Sequence, residues 1–366
     1  MIRLPHINDM IPNDKNLNKR QELILNIFEQ GNFFSVSQIQ KELEKIKIRA
    51  SLVTLKRDLK KLVDNLILSK EGKGRAVKYH LLLDFSIKRP IDVEKYFKVP
   101  ADQRKGKDTF NFSIFEHLKQ ENNIFTKDEL QLLEELNEEY KQNKKHLSKT
   151  IFRKEMERLV VELSWKSSQI EGNTYSLLET ESLIKDHKEA SGHRKEEAIM
   201  ILNHKKALDY ILTNASSFKN ISIPKIEDVH TFLTSGLNIG RGLRKSPVGI
   251  TGTMFSPLDN QFQIREAMEN TCRLVNGIKN PFIKTFILML CISYIQPFDD
   301  GNKRTSRLVG NAVLLAYDIC PISYRSVNEV EYKKAVIIFY EQNNFNYFKK
   351  IFLDQFAFAV KNYFRA

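Results

Sequence analysis

Apolar residues recur every three or four positions in three successive segments near the start of the chain. The segments are residues 19–30, 35–46 and 51–65. This spacing places the apolar side chains on one face of a helix, and Ser35 or Ser37 is placed to cap the second of the three. Two short runs, residues 66–70 and 77–82, then flank a glycine-containing turn, which predicts a pair of strands.

The order helix, helix, helix, hairpin is typical of a winged helix, which we predict for residues 1–83. From Lys15 to His80 there are 15 Lys and Arg residues against 7 Asp and Glu. A basic helix beside a basic hairpin is the footprint expected for contact with the backbone of duplex DNA. A winged helix used for protein contact or dimerisation is the alternative. The residues predicted to face DNA are Ser51, Thr54, Lys56, Arg57, Lys60, Lys73 and Arg75.

Residues 84–150 lack a continuous pattern and are predicted to be a helical connector between two domains. Pro90, Pro100 and Gly106 interrupt this stretch, because each favours a turn or a break. Only residues 127–146 have a clear helical spacing. We expect the connector to orient the domains on either side of it.

The rest of the chain, residues 151–366, is predicted to be a second, almost wholly helical domain. Its helical segments are residues 151–172, 195–212, 224–237, 262–276, 281–295, 304–317, 332–340 and 345–363. Residues 248–260 break the pattern with Gly, Thr and β-branched residues, so a small β-hairpin is expected there. The predicted fold class is therefore mainly α, with a helical core, a small hairpin and a preceding winged helix.

Composition narrows the class of protein. Of the 366 residues, 42% are hydrophobic, and the formal net charge is +13. The charge favours an acidic partner such as nucleic acid, nucleotide or an acidic protein surface. No apolar run is long enough to cross a bilayer, and the first 20 residues lack the apolar stretch of a signal peptide. Three cysteines far apart in the sequence suit a reducing compartment, so a cytoplasmic location is expected.

The loop IQPFDDGNKRTSRL, residues 295–308, combines features of a phosphate-binding turn. Gly301 permits a tight turn, and the backbone N–H groups at the start of the following helix attract an anion. Arg304 and Arg307 lie on one helix face, while Asp300 is an oxygen ligand suited to Mg²⁺. Asn302 can bind a phosphate oxygen. A helix cap with a surface Asp–Arg network is the alternative to a nucleotide site.

The same loop resembles the signature of Fic-domain proteins, His-Pro-Phe-x-Asp-Gly-Asn-Gly-Arg-x-x-Arg, in residues 296–307. Upstream, Ser167 followed by Glu171 and Gly172 resembles the inhibitory motif of that family. Residues 248–260 occupy the position of the family's flap. The resemblance covers about residues 151–340 and implies a Fic/Doc-type helical core of the self-inhibited type.

The resemblance implies transfer of AMP from ATP to a protein hydroxyl. Asp300 would hold Mg²⁺, and Gly301, Asn302 and Lys303 would cradle the α-phosphate. Arg304 and Arg307 would bind the outer phosphates, and Glu171 would pair with Arg307 and block them. An unidentified target protein would pair with the flap near Thr251–Asn260, and a homodimer is possible. Tyr332 and Tyr340 resemble positions that line the adenine pocket in the family, with a role as core aromatics as the alternative.

Two residues depart from the signature. Lys303 replaces a glycine and matches the Asn-Lys-Arg of Doc-type toxins, which transfer a phosphate. Gln296 replaces the histidine that takes the proton from the attacking hydroxyl, and a glutamine has no group that titrates near neutral pH. The predicted catalytic set is Gln296, Asn302 and Arg304, with low or impaired activity. The alternatives are a nucleotide-sensing, DNA-binding regulator and a Doc-like phosphotransferase.

Overall fold

The computed structural model describes residues 17–28, 33–120 and 124–365. The stretch used to argue against a signal peptide lies mostly outside these ranges, as do the predicted end of the first helix at Gln30 and the final Ala366. The described part is mainly helical, which confirms the prediction of a mainly α fold. No described helix is both long and apolar enough to cross a membrane.

The N-terminal unit has the predicted order of three helices and a hairpin. Its elements are α1 (Lys19–Phe28), α2 (Val36–Lys45), α3 (Leu52–Asp64), β1 (Leu68–Glu71) and β2 (Lys78–Leu81). The strands are antiparallel, with Leu68 opposite Leu81, and Phe34 pairs with Tyr79 at the open edge of β2. The three helices and the hairpin enclose a small hydrophobic core of their own.

Capping residues explain where two of these helices begin. The Ser35 side chain accepts a hydrogen bond from Gln38 N, and Ser35 N donates one to the side-chain oxygen of Gln38. Ser35 is therefore the cap of α2. Ser51 accepts a hydrogen bond from Thr54 N and so caps α3. Each cap satisfies an N–H group that the first helical turn leaves without a partner.

The connector is more structured than predicted. Its helices are α4 (Leu83–Ser86), α5 (Val93–Phe97), α6 (Ile114–Leu118) and α7 (Lys127–His146). Only α7 was predicted, and a capping box between Thr126 and Glu129 begins it. The short helices escape prediction because four or five residues are too few for an amphipathic period to be seen.

The C-terminal part packs around one large hydrophobic core. Its helices are α8 (Lys149–Ile170), α9 (Leu177–Asp186), α10 (Lys195–Thr213), α11 (Ile223–Thr234), α12 (Gln261–Gly277), α13 (Pro281–Ile295), α14 (Asn302–Ala316), α15 (Glu329–Gln342) and α16 (Asn346–Asn362). All but α9 were predicted. From Phe282 to its end at Ile295, every residue of α13 is buried, so this helix is the centre of the domain. Cys291 and Cys320 are buried and Cys272 is half-buried, all as free thiols.

The predicted hairpin at residues 248–260 is not a paired ladder. The segment turns at Thr251 and Gly252, but no backbone hydrogen bond joins its two arms, although all its residues are described. Its ordered backbone contact is instead a parallel bridge between Ser256 and Thr109 of the connector. The prediction was wrong because β-branched residues mark an extended chain without identifying its partner. We keep the name flap for residues 248–260.

Candidate functional site

The predicted phosphate loop joins the two most deeply packed helices of the large domain. At the end of α13, Gln296 adopts a left-handed conformation with φ 51°. Gly301, with φ 78°, precedes the first residue of α14. Two left-handed residues in six reverse the chain sharply. Because α13 and α14 are both buried along their lengths, the turn between them is held from both sides.

Asn302 fixes the shape of this turn. Its amide oxygen accepts from Phe298 N at 2.8 Å, and its amide nitrogen donates to Phe298 O at 2.8 Å. Both ends of the side chain are thus used inside the turn. The phosphate contact predicted for Asn302 would have to come from its backbone N–H, in the helix-start position that binds anions.

Arg304 and Arg307 lie side by side beneath the turn, as their spacing predicts. Their side chains are 2% and 0% exposed. Arg304 Nη2 donates to Asp300 Oδ2 at 3.1 Å, while its Nε and Nη1 have no hydrogen-bond partner among the described residues. Nη1 of Arg307 is likewise unpartnered within the described part of the chain. Buried guanidinium donors without partners are costly, so this pair is suited to receive an anion.

Glu171 lies against these cations at the end of α8. Its Oε1 accepts from Arg307 Nη2 at 2.9 Å, and its Oε2 accepts from Lys303 Nζ at 3.0 Å. Burial by itself raises the pKa of Glu171, but Arg307 and Lys303 outweigh that effect and hold the pKa at about 2. The carboxylate therefore stays charged at neutral pH and occupies two of the loop's cations. The Lys303 contact was not predicted.

Ser167 and Gly172 hold the end of α8 in place. The Ser167 hydroxyl accepts from Arg307 Nε, and its carbonyl accepts from Arg307 Nη2, both at 2.9 Å. Gly172 has φ 97°, a conformation that other residues resist, and its N–H returns to Gln169 O. Together these contacts place the Glu171 carboxylate at the mouth of the arginine pair.

Gln296 is buried and hydrogen-bonded. Its Nε2 donates to Ser293 O at 2.6 Å and to the hydroxyl of Tyr340 at 3.0 Å. Tyr332, the other predicted adenine neighbour, lies with its ring under Arg307, 5.1 Å from the guanidinium carbon. Both tyrosines are fully buried, so the prediction of an adenine pocket at Tyr332 and Tyr340 stays a prediction.

Two further residues support the turn and were not predicted. His230 of α11 stacks on Phe298 with ring centres 3.8 Å apart and hydrogen-bonds Asp300 O through Nε2. Burial lowers the pKa of His230 to about 4, so Nε2 carries its proton as a neutral donor. Arg244 donates to Gln296 O at 2.6 Å and ties the turn to the flap through Leu258 O. Neither has a local sequence signal, since both come from distant segments.

Asp300 provides a single carboxylate for a cation. Its side chain is 67% exposed and contacts Arg304. Among the residues that the structure describes, no group of three or more His, Cys, Asp or Glu side chains surrounds a common point. This donor set fits a Mg²⁺ ion that takes most of its ligands from nucleotide phosphates and water, and it does not fit a metal held by protein alone.

The predicted DNA-facing residues divide into two groups. Lys56, Arg57 and Lys60 are exposed on α3, and Lys73 is exposed at the hairpin. Ser51 and Thr54 instead bond each other at the start of the helix, so their hydroxyls serve the cap. The side chain of Arg75 lies outside what the structure describes.

Comparison with known proteins agrees with the geometry. Residues 220–314 match the sequence profile of the Fic/DOC family. The chain is 29% identical over 181 residues to a protein adenylyltransferase Fic of Aedes aegypti, covering 46% of this chain and 34% of that protein. It is 30% identical over 104 residues to a probable protein adenylyltransferase of Aquifex aeolicus, covering 27% and 31%. The matches thus span about a third of the length of these curated relatives.

Solved structures have the same fold. Fic-1 of C. elegans, residues 134–508, aligns with a TM-score of 0.55 and 16% identity, over 64% of this chain and 71% of that one. A Fic family protein of Desulfovibrio desulfuricans aligns with a TM-score of 0.54 and 22% identity, over 65% and 74%. The profile match contains the flap, the loop and most of α14. The chain therefore contains a Fic domain.

Proposed function

We propose that the protein is a Fic-type protein adenylyltransferase that is inhibited by Glu171 and slowed by Gln296. The observation that carries the proposal is the position of the Glu171 carboxylate between Lys303 and Arg307. Those two cations, with Arg304, are the groups that a nucleotide polyphosphate would need. A carboxylate held there is negatively charged, as a phosphate is, and competes for the same donors.

ATP binding is supported by the unpartnered donors of the site. Arg304 and Arg307 leave three guanidinium nitrogens without a hydrogen bond within the described chain. The start of α14 adds backbone N–H groups. Asp300 would hold Mg²⁺, which when bound offsets the charge of the phosphates. The second arm of the flap lies next to this turn, because Arg244 donates both to Gln296 O and to Leu258 O, and a target segment docked on the flap would lie close to the nucleotide.

In the proposed reaction the oxygen of a protein hydroxyl bonds to the α-phosphorus of ATP, and the bond to pyrophosphate breaks. The hydroxyl proton must leave in the same step. Gln296 stands where a base would receive it, and an amide cannot accept a proton at neutral pH. Gln296 can orient the hydroxyl by a hydrogen bond. Loss of general-base catalysis slows such steps by about 10²–10⁴-fold.

A nucleotide-sensing regulator is the second candidate function. The observation favouring it is the exposed row of Lys56, Arg57 and Lys60 on α3, the third helix of a unit with winged-helix element order. Such a row suits the phosphates of duplex DNA. In this candidate the Fic domain binds ATP without transferring it. Doc-like transfer of phosphate rests on Lys303 alone, and Lys303 contacts Glu171.

Intact-mass measurement with Mg²⁺-ATP, with and without a cell lysate as the source of targets, tests the proposal. The forms to compare are the unaltered chain, Glu171→Gly, and Glu171→Gly with Gln296→His. We expect no gain in the unaltered chain, slow gain of one AMP on the chain or on a lysate protein with Glu171→Gly, and fast gain once His is restored.

Other results point elsewhere. A gain of phosphate in place of AMP would support the Doc-like reaction. Absence of any label in all three forms, together with ATP binding measured by calorimetry, would favour the regulator. Absence of both labelling and ATP binding would contradict the nucleotide site itself. Arg307→Gln in the form that carries both changes is the matched control. It removes a guanidinium that would donate hydrogen bonds to the phosphates, so it should abolish the label.

A further inference from the structure

The part of the connector that lies between α5 and α6 contacts the flap directly. Ser256 N donates to Asp108 O at 2.8 Å, and Thr109 and Ser256 form a parallel bridge. The guanidinium of Arg104 donates to Gly252 O at 2.5 Å. Two points of the flap, its turn and its second arm, are therefore bonded to one short stretch of chain, residues 104–109. The family profile match begins at residue 220 and does not include this stretch.

Arg104 is held in place by Glu341 near the end of α15. Nε and Nη2 of Arg104 donate to the two carboxylate oxygens of Glu341, each at 2.9 Å. The two side chains are 6% and 4% exposed. A bidentate pair with so little solvent fixes the guanidinium plane. Tyr96 also donates to Glu341, at 2.5 Å, so the carboxylate has several donors and its burial is compensated.

The backbone of the connector at residues 105–107 also contacts the end of α15. Lys107 N donates to Glu341 O at 2.6 Å. A Cβ atom at Gly106 would lie 2.7 Å from Glu341 Cβ, so only glycine allows this close approach. Gln342 donates to Lys105 O at 2.8 Å. The end of α15 thus anchors the connector, and the connector in turn bonds the flap.

The contact continues to the phosphate turn through aromatic rings. Phe110 stacks on Tyr294 at 4.4 Å, and Tyr294 stacks on Phe255 of the flap at 5.0 Å. Phe255 stacks on Tyr340 at 5.3 Å. The Tyr340 hydroxyl contacts Gln296. The connector, the flap and the position of the absent base therefore belong to one packed cluster.

We propose that Arg104 is a positioning residue for the flap. Together with Glu341 it fixes the position of Gly252, and so the position of the flap against which a target segment would lie beside the nucleotide. This inference deepens the proposed function and rests on it for the identity of the bound segment. The position of the flap itself can be measured without any activity. Arg104 also lines a cavity of about 310 Å³ together with Asn26 of α1.

Backbone hydrogen exchange followed by mass spectrometry tests the positioning. The variants are Arg104→Met, and Arg104→Met with Glu341→Gln so that no charged carboxylate remains buried alone. In both, peptides covering residues 250–257 should exchange about tenfold faster or more, as expected for loss of a charge-assisted hydrogen bond. Lys107→Ala is the matched control, because it removes an exposed cation from the same stretch and keeps the backbone bond. Unchanged exchange in α13 peptides verifies the fold.

The catalytic readout uses the form with Glu171→Gly and Gln296→His and a lysate protein that this form labels. Arg104→Met should raise the KM for that acceptor about tenfold and leave the KM for ATP unchanged, whereas Arg104→Lys, which keeps the charge but not the fork, should recover only part of the loss. If the flap exchanges at an unchanged rate both in Arg104→Met and in Arg104→Met with Glu341→Gln, the proposal is overturned, whatever the labelling shows. Absence of labelling in every form would contradict the proposed function and leave the exchange result to decide the positioning.

Discussion

Two clusters of cations differ in exposure, one at the turn before α14 and the other on the outer face of α3. At the turn, Arg304 and Arg307 are buried and Glu171 is their fixed neighbour. On α3, Lys56, Arg57 and Lys60 are exposed. Buried charges interact strongly and only with groups in fixed geometry, whereas exposed charges are screened within about 8–10 Å by salt. The first cluster is thus suited to a switch by one carboxylate, and the second to graded attraction of a polyanion.

The largest effect is expected at the position of the missing base. In the Glu171→Gly background, Gln296→His should raise the rate of AMP transfer by about 10²–10⁴-fold, because an imidazole can take the hydroxyl proton. The rate of mass gain with Mg²⁺-ATP measures this. Gln296→Asn is the control, since it changes the residue without adding a base, and an equal gain with Asn would contradict the base argument.

The next largest effect is expected at Glu171, the carboxylate that pairs with the buried cluster. Glu171→Gln keeps the shape of the side chain but removes the charge that competes with phosphate, so ATP should bind about 10–100-fold more tightly, as expected for losing one or two charge-assisted contacts. Isothermal calorimetry measures the affinity. Glu157→Gln, an exposed change on the same helix, should have no effect. Equal affinities in all three proteins would show that Glu171 does not compete.

pH should act on the buried cluster through His230. Its pKa of about 4 in the folded chain lies below the value of about 6.5 expected in the unfolded chain. Between these values the unfolded chain binds more protons, so His230 makes the free energy of unfolding fall as pH falls, by roughly 3 kcal/mol from pH 6.5 to 4. His204, whose pKa burial also lowers, acts in the same direction. Urea unfolding at several pH values measures the slope.

His230→Phe keeps a ring against Phe298 but cannot bind a proton, so its slope over this range should be smaller. His146→Asn changes an exposed histidine and should leave the slope as it is. Glu171, with a pKa of about 2, contributes stability that is lost only as pH falls from about 4.5 towards 2, so it does not confuse the comparison.

The exposed cluster should respond to salt in place of pH. Changing Lys56, Arg57 and Lys60 together to Ala should weaken binding to a duplex about tenfold or more and reduce the salt slope by about one unit for each lost phosphate contact. Fluorescence anisotropy with a labelled duplex at several salt concentrations measures both. The control is a triple change to Ala of Lys127, Lys141 and Lys145 of α7, which removes the same amount of positive charge from another part of the protein. Equal losses in the two triple variants would mean that only net charge matters.

The smallest effect is expected at the cap of α3. Ser51→Ala should cost about 1 kcal/mol of stability, because it removes the acceptor for an N–H of the first turn. Ser51→Asp keeps an acceptor and should retain most of that stability. Urea unfolding measures both. If Ser51→Asp weakens DNA binding more than Ser51→Ala does, then DNA binding depends on the charge near the start of α3 and not on the cap.

Most helices of the fold could be predicted, since amphipathic periods report which face is buried. The ranges of α7 and α13 were predicted to the residue. The hairpin in the flap was not, because an extended segment does not state its partner. At the site, helical spacing alone predicted that Arg304 and Arg307 are neighbours on one helix, and both lie on α14. The second contact of Glu171, with Lys303, depends on how the end of α8 meets α14, which no local pattern records.

The sequence by itself determined the helical class, the turn built on Gly301, the pairing of arginines three residues apart and the absence of a titratable side chain at Gln296. These follow from local spacing and side-chain chemistry. Only the tertiary structure decided that Asn302 closes its own turn, that His230 and Arg244 support it, and that Arg104 and Glu341 hold the flap. Those contacts join residues as far apart as 237 positions. Their geometry arises when separate helices pack, which a local pattern cannot encode.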